Sequence, residues 1–237
     1  DSHVLIKRHV FNTSLRIKTL VERIAIAFSL LVKGDLKTLF KSLTVRLYSR
    51  KLSFGLVRDL NSTFVVNVPN DIYLKIRYFN TDDIDTLDEG HRHLRLVKEG
   101  IPQCYIGEMA DHTPCYRQWL IGFEQNEQLK NYFGDLFPSL KKGEALVEGI
   151  FTKPEFRGKG IMPYALDLVN KEAMKLGYSK ILVYVDRSNI PSLKGCYRAG
   201  FIPFQTRYET WFLFRRTTSF RPISKSFKST FFKLVNS

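Results

Sequence analysis

The stretch that decides the fold runs from Lys153 to Tyr164 and has the sequence Lys-Pro-Glu-Phe-Arg-Gly-Lys-Gly-Ile-Met-Pro-Tyr. An apolar run that ends at Thr152 precedes it and predicts a strand, and a helical pattern follows it. Gly158 and Gly160 allow the backbone to turn tightly and to approach a ligand closely. The first N–H groups of the following helix, with the positive end of its dipole, would then face an anion. We therefore interpret the stretch as a phosphate-binding turn between a strand and a helix.

Length and cysteine content limit the class of protein. The 237 residues are enough for one good-sized core or for one domain with appendages. No apolar run approaches the roughly 18 residues that are needed to cross a bilayer. The three cysteines (Cys104, Cys115 and Cys196) are too few for a disulfide framework and lack the spacing of a metal site. We therefore expect a cytoplasmic protein without a bound metal.

The net charge of +14 comes from the two ends of the chain. Residues 1–60 contain twelve Lys and Arg against four acidic residues, and residues 215–237 contain six against none. Residues 61–214 contain nineteen of each sign and are neutral. We therefore predict three parts: a basic amphipathic helical extension (1–60), a catalytic domain (61–214) and a basic, aromatic C-terminal tail (215–237).

The two basic arms leave several interpretations open. Apolar residues recur at helical spacing over 14–32 and from Leu36 to about Leu52, which predicts two amphipathic helices. These helices would pack on the domain, bind the inner face of an anionic membrane or an acidic carrier protein, or bind nucleic acid. The first is favoured, and nucleic acid is not expected because no recognised motif accompanies the charge. Residues 217–237 are either a further amphipathic arm or partly disordered, and the oligomeric state is not predicted.

Strands and helices alternate in the central part. Residues 123–143 are expected to form a loop with a short helix, of the kind that often shapes a substrate pocket. Residues 181–185 are continuously apolar, as in a strand that is buried on both faces. The predicted strands are 72–78, 103–109, 116–122, 145–152, 181–185 and 201–214, and the predicted helices are about 81–99, 161–176 and 191–199. This order predicts a mixed α/β sheet.

Motif spacing narrows the ligand of the turn. The stretch lacks the Gly-x-x-x-x-Gly-Lys-Ser/Thr of a nucleotide P-loop, and Pro163 stands where Gly-x-Gly-x-x-Gly needs its third glycine. The stretch resembles instead the Gcn5-related N-acetyltransferase (GNAT) superfamily, whose signature is Arg/Gln-x-x-Gly-x-Gly/Ala. Arg157 and Gly160 match this signature, and Met162 departs from it. Residues 189–201, with Asn, a small residue three positions later, Tyr and then Gly-Phe, are similar to a second segment of the family. The resemblance covers about 72–214.

The resemblance implies a fold and an activity. The fold would be a mixed, mostly antiparallel central sheet with splayed parallel strands, flanked by helices, with the N-terminal helical extension added. The activity would be transfer of an acetyl group from acetyl-CoA, or of another acyl group from its acyl-CoA, to a primary amine by direct attack in a ternary complex. A small acceptor such as an amino sugar or an amino acid is favoured. Two alternatives stay open: a long-chain N-acyl amino acid synthase that uses acyl carrier protein or acyl-CoA, and a non-catalytic coenzyme A-binding module.

Roles for single residues follow from the same resemblance. The backbone of residues 157–162 would cradle the pyrophosphate, and the end of the preceding strand would bind pantetheine through its main chain. A tyrosine would act as acid on the leaving thiolate, and a strand carboxylate would act as base. The implied catalytic residues are Glu148 and Tyr197, and the implied coenzyme-binding residues are Phe151, Thr152, Arg157, Gly158, Lys159, Gly160, Ile161, Met162, Asn189 and Ser192. Glu108 and Asp111 are weaker candidates for the base, and Cys196 is expected to be a small packed residue rather than a nucleophile.

Overall fold

The computed structural model describes residues 36–68, 72–83, 96, 101 and 103–237. The strands are β1 (Tyr48–Asp59), β2 (Leu74–Tyr78), β3 (Cys104–Met109), β4 (Pro114–Gly122), β5 (Glu144–Thr152), β6 (Lys180–Asp186), β7 (Ile202–Phe212) and β8 (Arg215–Pro222). The helices are α1 (Leu36–Leu47), α2 (Asn126–Phe133), α3 (Ile161–Lys175), α4 (Ile190–Arg198) and α5 (Lys225–Asn236), with short 3₁₀ helices at Phe123–Gln125, Gly134–Leu136 and Pro154–Phe156. The predicted helix 14–32 and nearly all of the predicted helix 81–99 lie outside the described residues.

The strands form one sheet in the order β2-β3-β4-β5-β6-β1-β7-β8. β5 and β6 are parallel, whereas β6 pairs with β1 and β4 pairs with β5 in antiparallel fashion. The predicted mixed, mostly antiparallel sheet flanked by helices is confirmed. The predicted strands 72–78 to 201–214 occur with ends that differ by at most two residues.

Helices cover the sheet on both faces. On one face, α3, α4 and α5 pack over side chains of β1, β5 and β6, and we call this the α3 face. On the other face, α2 and the segment after it pack over alternate side chains of β4, β5 and β6. Burial in alternation along each strand divides the apolar residues between these two cores. The candidate site described below lies in the sheet between them.

β1 is an interior strand of the sheet, between β6 and β7, although its residues were predicted to belong to a helical extension. The helix before it ends at Leu47, so the prediction of a helix to about Leu52 and of an extension to residue 60 is wrong. Phe54 and Leu56 are both fully buried on either side of Gly55. Two neighbouring side chains lie 2.8 and 2.9 Å from where a Cβ of Gly55 would be, so the strand packs closely there. Burial in the interior of the sheet therefore outweighs local helical spacing.

The C-terminal segment is folded and is not a separate tail. β8 lies at an end of the sheet, and α5 begins after Ser224, whose Oγ accepts a hydrogen bond from Phe227 N at 3.2 Å. Phe231 is fully buried, with its ring 5.4 Å from that of Phe54 in β1. The predicted boundary at residue 215 and the alternative of partial disorder are therefore wrong, because these aromatic residues belong to the core.

The chain divides into two compact units. Residues 51–209 and 217–237 form the larger unit, which contains the candidate site. The described part of the smaller unit is residues 36–50 and 210–216. Within the smaller unit, Leu213 N donates a hydrogen bond to Leu47 O and Phe214 N donates one to Arg46 O, each at 2.9 Å.

Candidate active site

The parallel strands β5 and β6 part near the middle of the sheet. Their paired residues run from Glu144 opposite Lys180 to Val147 opposite Val183. Both strands continue beyond these residues, and the described part of the chain shows no further pairing between them there. The facing peptide groups beyond Val147 and Val183 are therefore open to a ligand, and the predicted splaying of the parallel strands is confirmed.

A bulge at Gly149 bends β5 where it leaves β6. Gly149 has a φ of +65°, in the left-handed region that favours glycine. Arg117 of β4 lies opposite Phe151, and Trp119 lies opposite Glu148, so β5 has one residue more than β4 over this interval. Such a bulge bends the strand and increases its twist. An isolated glycine within an apolar strand pattern is the sequence signal for a bulge, which the prediction of an uninterrupted strand overlooks.

The turn after β5 contains two glycines in the left-handed conformation. Gly158 has a φ of +78° and Gly160 a φ of +79°. The N–H groups of Ile161 and Met162 lie in the first turn of α3, where no intrahelical acceptor is available. Gly160 immediately precedes α3 and has no side chain that could cap them. Pro163 has no N–H group. The turn thus presents main-chain donors and the positive end of a helix dipole directly after the parted strand, an arrangement that suits a phosphate.

The two basic side chains of the turn make different contacts. Arg157 Nε donates a hydrogen bond to Thr152 O at 2.9 Å, and its guanidinium lies 5.8 Å from the centroid of the Phe151 ring. Arg157 therefore ties the turn to the end of β5 through the carbonyl of Thr152, one of the two residues whose main chain was predicted to bind pantetheine. Lys159 is exposed, with its Nζ 5.6 Å from the ring centroid of Phe156. Lys159 is the cation of the turn that is better placed to approach an anion.

Met162 packs against α4 and not across the turn. A Cβ added to Gly195 of α4 would lie 2.6 Å from Met162 Sδ and 3.1 Å from its Cε. A methionine therefore replaces the small residue of the signature because α4 has a glycine beside it. The Met162 N–H remains part of the helix start, as predicted for the phosphate contact.

Asn189 and Ser192 begin α4 at the end of β6. Asn189 is the N-cap, and its Oδ1 accepts a hydrogen bond from Ser192 N at 3.3 Å. Pro191 lies in the first turn, where its missing N–H group has no cost. The structure therefore gives both polar residues a role in starting the helix, and their contact with a coenzyme stays a prediction.

Glu148 lies on β5 just before the bulge and is half-buried. Ala145 and Val147 pack on the α3 face, and Leu146 packs on the opposite face. Because side chains alternate along a strand, Glu148 shares the face of Leu146. Trp119 of β4 lies opposite Glu148 in the register. The predicted base therefore borders the parted strands on the face away from α3.

The two weaker candidates for the base have other partners. Glu108 forms an ion pair with Arg77, and its second oxygen lies 3.6 Å from His112 Nδ1. Asp111 is exposed, and its Oδ1 accepts a hydrogen bond from Thr113 N at 3.0 Å, which lowers the pKa of the carboxyl. Glu108 lies near the end of β3 and Asp111 in the turn that follows, and both carboxylates are engaged there, so Glu148 remains the better candidate.

Tyr197 packs against the aromatic residues of α5. Its ring packs 6.0 Å from that of Phe231 and 5.9 Å from that of Phe232, both in α5. It also lines a cavity of about 380 Å³ with residues of β1 and β7. In the sheet, β6 separates β1 from β5. These contacts give the Tyr197 ring a packing role against α5, and its role as the acid stays a prediction. The ring packs on aromatic residues of α5, which were predicted to belong to a separate tail.

Cys196 faces the core. Its side chain is fully buried, and this burial raises the pKa of the thiol to about 12. The thiol is therefore protonated near neutral pH and is a poor nucleophile. The prediction of a small packed residue at this position is confirmed.

Two neighbours of the parted strands were not predicted. Arg117 of β4 is buried, with its guanidinium 5.0 Å from the Trp119 ring and 5.6 Å from the Phe151 ring. Tyr116 is fully buried against α3, and its hydroxyl donates a hydrogen bond to Gln118 Oε1. Burial raises the pKa of Tyr116, so this hydroxyl stays neutral. No sequence signal distinguishes these residues from other members of an aromatic strand.

Comparison with known proteins gives the family of this region. Residues 110–201 match the acetyltransferase (GNAT) family. These residues form a GNAT acetyltransferase domain. The GNAT domain contains β4, β5, the glycine turn, α3, β6 and α4, and so it contains every element that builds the candidate site. No curated protein matches the chain.

Several solved structures are similar to this chain. A GCN5-related glucosamine N-acetyltransferase region of a fungal multi-domain β-N-acetylglucosaminidase is 12% identical, with a TM-score of 0.52 over 75% of this chain and 23% of that chain. A GNAT acetyltransferase from Colwellia psychrerythraea is 12% identical (TM-score 0.47; 73% and 60% covered), and one from Sphaerobacter thermophilus is 13% identical (TM-score 0.47; 79% and 58% covered). This chain spans less than two thirds of each of these proteins.

The fold continues beyond the GNAT domain at both ends. β1, β2 and β3 precede it, and β7, β8 and α5 follow it. Among the described residues, no helix is long and apolar enough to cross a membrane. The same residues contain no group of His, Cys, Asp or Glu side chains that could hold a metal ion.

Proposed function

We propose that the chain is an acyl-CoA-dependent N-acyltransferase that transfers an acetyl group to the primary amine of a small molecule. The observation that carries this proposal is the parting of β5 from β6 directly before the left-handed glycine turn. The gap offers open peptide groups to an extended arm, and the turn offers main-chain N–H groups to an anion. An acyl-CoA combines these two features in one molecule.

The residues of the turn fit the pyrophosphate of such a co-substrate. The N–H groups of Ile161 and Met162 would donate to its oxygens, and Lys159 would add a positive charge. A Cβ at Gly158 would meet no atom within 4 Å, so this glycine is needed for its φ and not for packing. Arg157 would hold the turn in place through its bond to Thr152 O.

Acyl-CoA supplies a thioester, whose carbonyl carbon is open to attack by an amine. Glu148 would accept the proton of the acceptor amine, because it borders the gap and is half-buried. A main-chain N–H of β5 beyond Val147 would stabilise the negative oxygen that forms during attack. Cys196 would not carry the acyl group, because its thiol is buried and protonated, so transfer would be direct.

A panel of primary amines tests the proposal by release of free thiol from acetyl-CoA. Amino sugars, including glucosamine, and amino acids form the first part of the panel. Glu148→Gln should lower acceptor-dependent thiol release about 10²- to 10⁴-fold. Glu144→Gln at the other end of β5, where the strands are still paired, is the matched control and should retain it. Tyr197→Phe keeps the ring against α5 and removes the hydroxyl, so it should lower thiol release only if that hydroxyl is the acid.

The same assay separates the alternatives. Faster turnover with long-chain acyl-CoA or with acyl carrier protein than with acetyl-CoA would identify a long-chain N-acyl synthase. Binding of acetyl-CoA without thiol release for any amine would favour a non-catalytic coenzyme A-binding module, for which the packing of the Tyr197 ring against α5 is the supporting observation. Full activity of Glu148→Gln would exclude the carboxylate as the base.

A further inference from the structure

The smaller unit has an exposed apolar surface at the turn between β7 and β8. We call this surface the tip patch. Its residues are between 40 and 65% exposed: Phe40, Leu43, Leu47, Tyr48, Phe212, Leu213 and Phe214. The hydrogen bonds from Leu213 N and Phe214 N to the end of α1 join the two parts of the patch. Seven exposed apolar side chains within one small unit exceed the scattered single residues that are normal on a protein surface.

The turn itself has an unfavourable sequence for its backbone. Leu213 has a φ of +45° and Phe214 a φ of +63°. A two-residue hairpin turn with both φ values positive strongly prefers Asn-Gly, Asp-Gly or Gly-Gly. Two large apolar residues in the left-handed region are unusual and strained, and such strain is concentrated at functional sites. Leu213 and Phe214 therefore occupy the turn although their own backbone preferences disfavour it.

The described residues of the smaller unit carry positive charges only. Residues 36–50 and 210–216 contain six Lys and Arg and no acidic residue. Arg215 and Arg216 directly follow the turn and are exposed, and Arg46 and Arg50 lie near the end of α1. An apolar surface within a one-signed basic field is complementary to an anionic surface with an apolar layer beneath it.

We propose that the tip patch docks the protein on an anionic lipid membrane. Leu213 and Phe214 insert among the lipid headgroups, and Arg215 and Arg216 contact the lipid phosphates. A lipid surface fits better than an acidic protein or a second copy of this chain, because a bilayer offers both negative charge and apolar depth to one exposed turn. A second copy would bring a second set of positive charges to the same place. This proposal does not depend on the acyl transfer proposed above.

Trp211 reports on the insertion. It lies two residues before the turn and is partly exposed, whereas the second tryptophan, Trp119, is 1% exposed in the core. Vesicles of phosphatidylcholine with about one third phosphatidylglycerol should shift the emission of the full chain to the blue and carry it upward on flotation. Pure phosphatidylcholine should do so weakly, and added salt should reduce the binding.

The decisive variant is Leu213→Asn with Phe214→Gly. It gives the hairpin the preferred turn sequence, so the fold is retained while the apolar tip is lost. Vesicle binding should fall at least about tenfold. Met174→Gln with Leu176→Gln removes two exposed apolar side chains at the end of α3, and this control should bind like the wild type. Arg215→Gln should weaken binding about fivefold, and Arg221→Gln on the same strand should have a smaller effect.

The proposal is overturned if the wild type fails to bind anionic vesicles. It is also overturned if the Leu213→Asn, Phe214→Gly variant binds as tightly as the wild type. Equal losses in the Asn-Gly variant and its Gln-Gln control would show that the tip has no special role. A wild-type dimer that the Asn-Gly variant converts to a monomer, without vesicle binding, would identify a second copy as the partner. Binding of an acidic carrier protein, and not of vesicles, that depends on the tip would identify a protein partner.

Discussion

Replacing Gly158 by alanine separates a phosphate-binding turn from an ordinary one. Gly158 and Gly177 lie at opposite ends of α3 with φ values of +78° and +86°. In both cases an added Cβ would meet no atom within 4 Å. The two substitutions therefore impose the same backbone strain without a clash, and only Gly158→Ala alters the turn after β5.

The expected magnitudes follow from the left-handed conformation. An L-residue in this region costs about 1–2 kcal/mol, and alanine offsets about 0.4–1 kcal/mol by restricting the unfolded chain. Each variant should thus lose about 1 kcal/mol of unfolding free energy, which lowers the melting temperature by about 2–4 °C. If the free turn of Gly158→Ala relaxes, this variant loses less stability, and the strain opposes binding instead, because a phosphate must restore the left-handed conformation. For Gly158→Ala alone, we therefore expect acetyl-CoA to bind about 5- to 30-fold more weakly.

Isothermal titration with acetyl-CoA and thermal unfolding of both variants measure these quantities. The expected result is a loss of affinity in Gly158→Ala only, with a loss of stability no larger than that of Gly177→Ala. Unchanged affinity in both variants would refute the assignment of the turn to the pyrophosphate. An equal loss of affinity in both would indicate a general effect of stability rather than a contact.

Three further predictions concern packing and charge. Gly195→Ala should be neutral or destabilising in the wild type. In a Met162→Ala background it should raise the free energy of unfolding by up to about 1 kcal/mol, because the Met162 sulfur no longer blocks the new Cβ. Denaturant unfolding of the wild type, the two single variants and the double variant tests this. Burial tends to raise the pKa of Asp83, but hydrogen bonds from Arg77 and from the Asn80 N–H lower it overall. The resulting stability is present above the ordinary carboxyl pKa of about 3.9 and is lost as the pH falls through the lowered value, so the deficit of Asp83→Asn at pH 7 should shrink in acid. Phe231→Ala should cost about 3–5 kcal/mol, whereas a separate tail would tolerate it.

The fold could be predicted where the pattern of the sequence is local. Residues 145–152 and 181–185 are continuous apolar runs, and the strands β5 and β6 form there. β1 was missed because helical spacing continues from the preceding segment, and only its interior place in the sheet explains the burial of Phe54. The sequence did not predict that α5 packs in the core. A basic, aromatic segment has the same composition whether its aromatic face packs on the sheet or is exposed to solvent.

Main-chain features of the site could be predicted better than side-chain roles. The turn at Gly158 and Gly160 depends on residues that are adjacent in sequence, and the structure contains it. The orientation of Tyr197 depends on Phe231 and Phe232, which are more than thirty residues away in the sequence and meet it only in the folded chain. Sequence spacing places a residue on a helix, but it does not determine which neighbouring element its side chain will face.

Hydrogen exchange of the full chain with and without acetyl-CoA tests most directly whether the parted strands and the glycine turn bind the co-substrate. We predict slower exchange at residues 148–152 and 157–162, where open peptide groups and the helix start would bind the ligand, and no change at residues 57–64 beside the Tyr197 cavity. Absence of protection at saturating acetyl-CoA, or protection confined to residues 57–64, would contradict the proposed site.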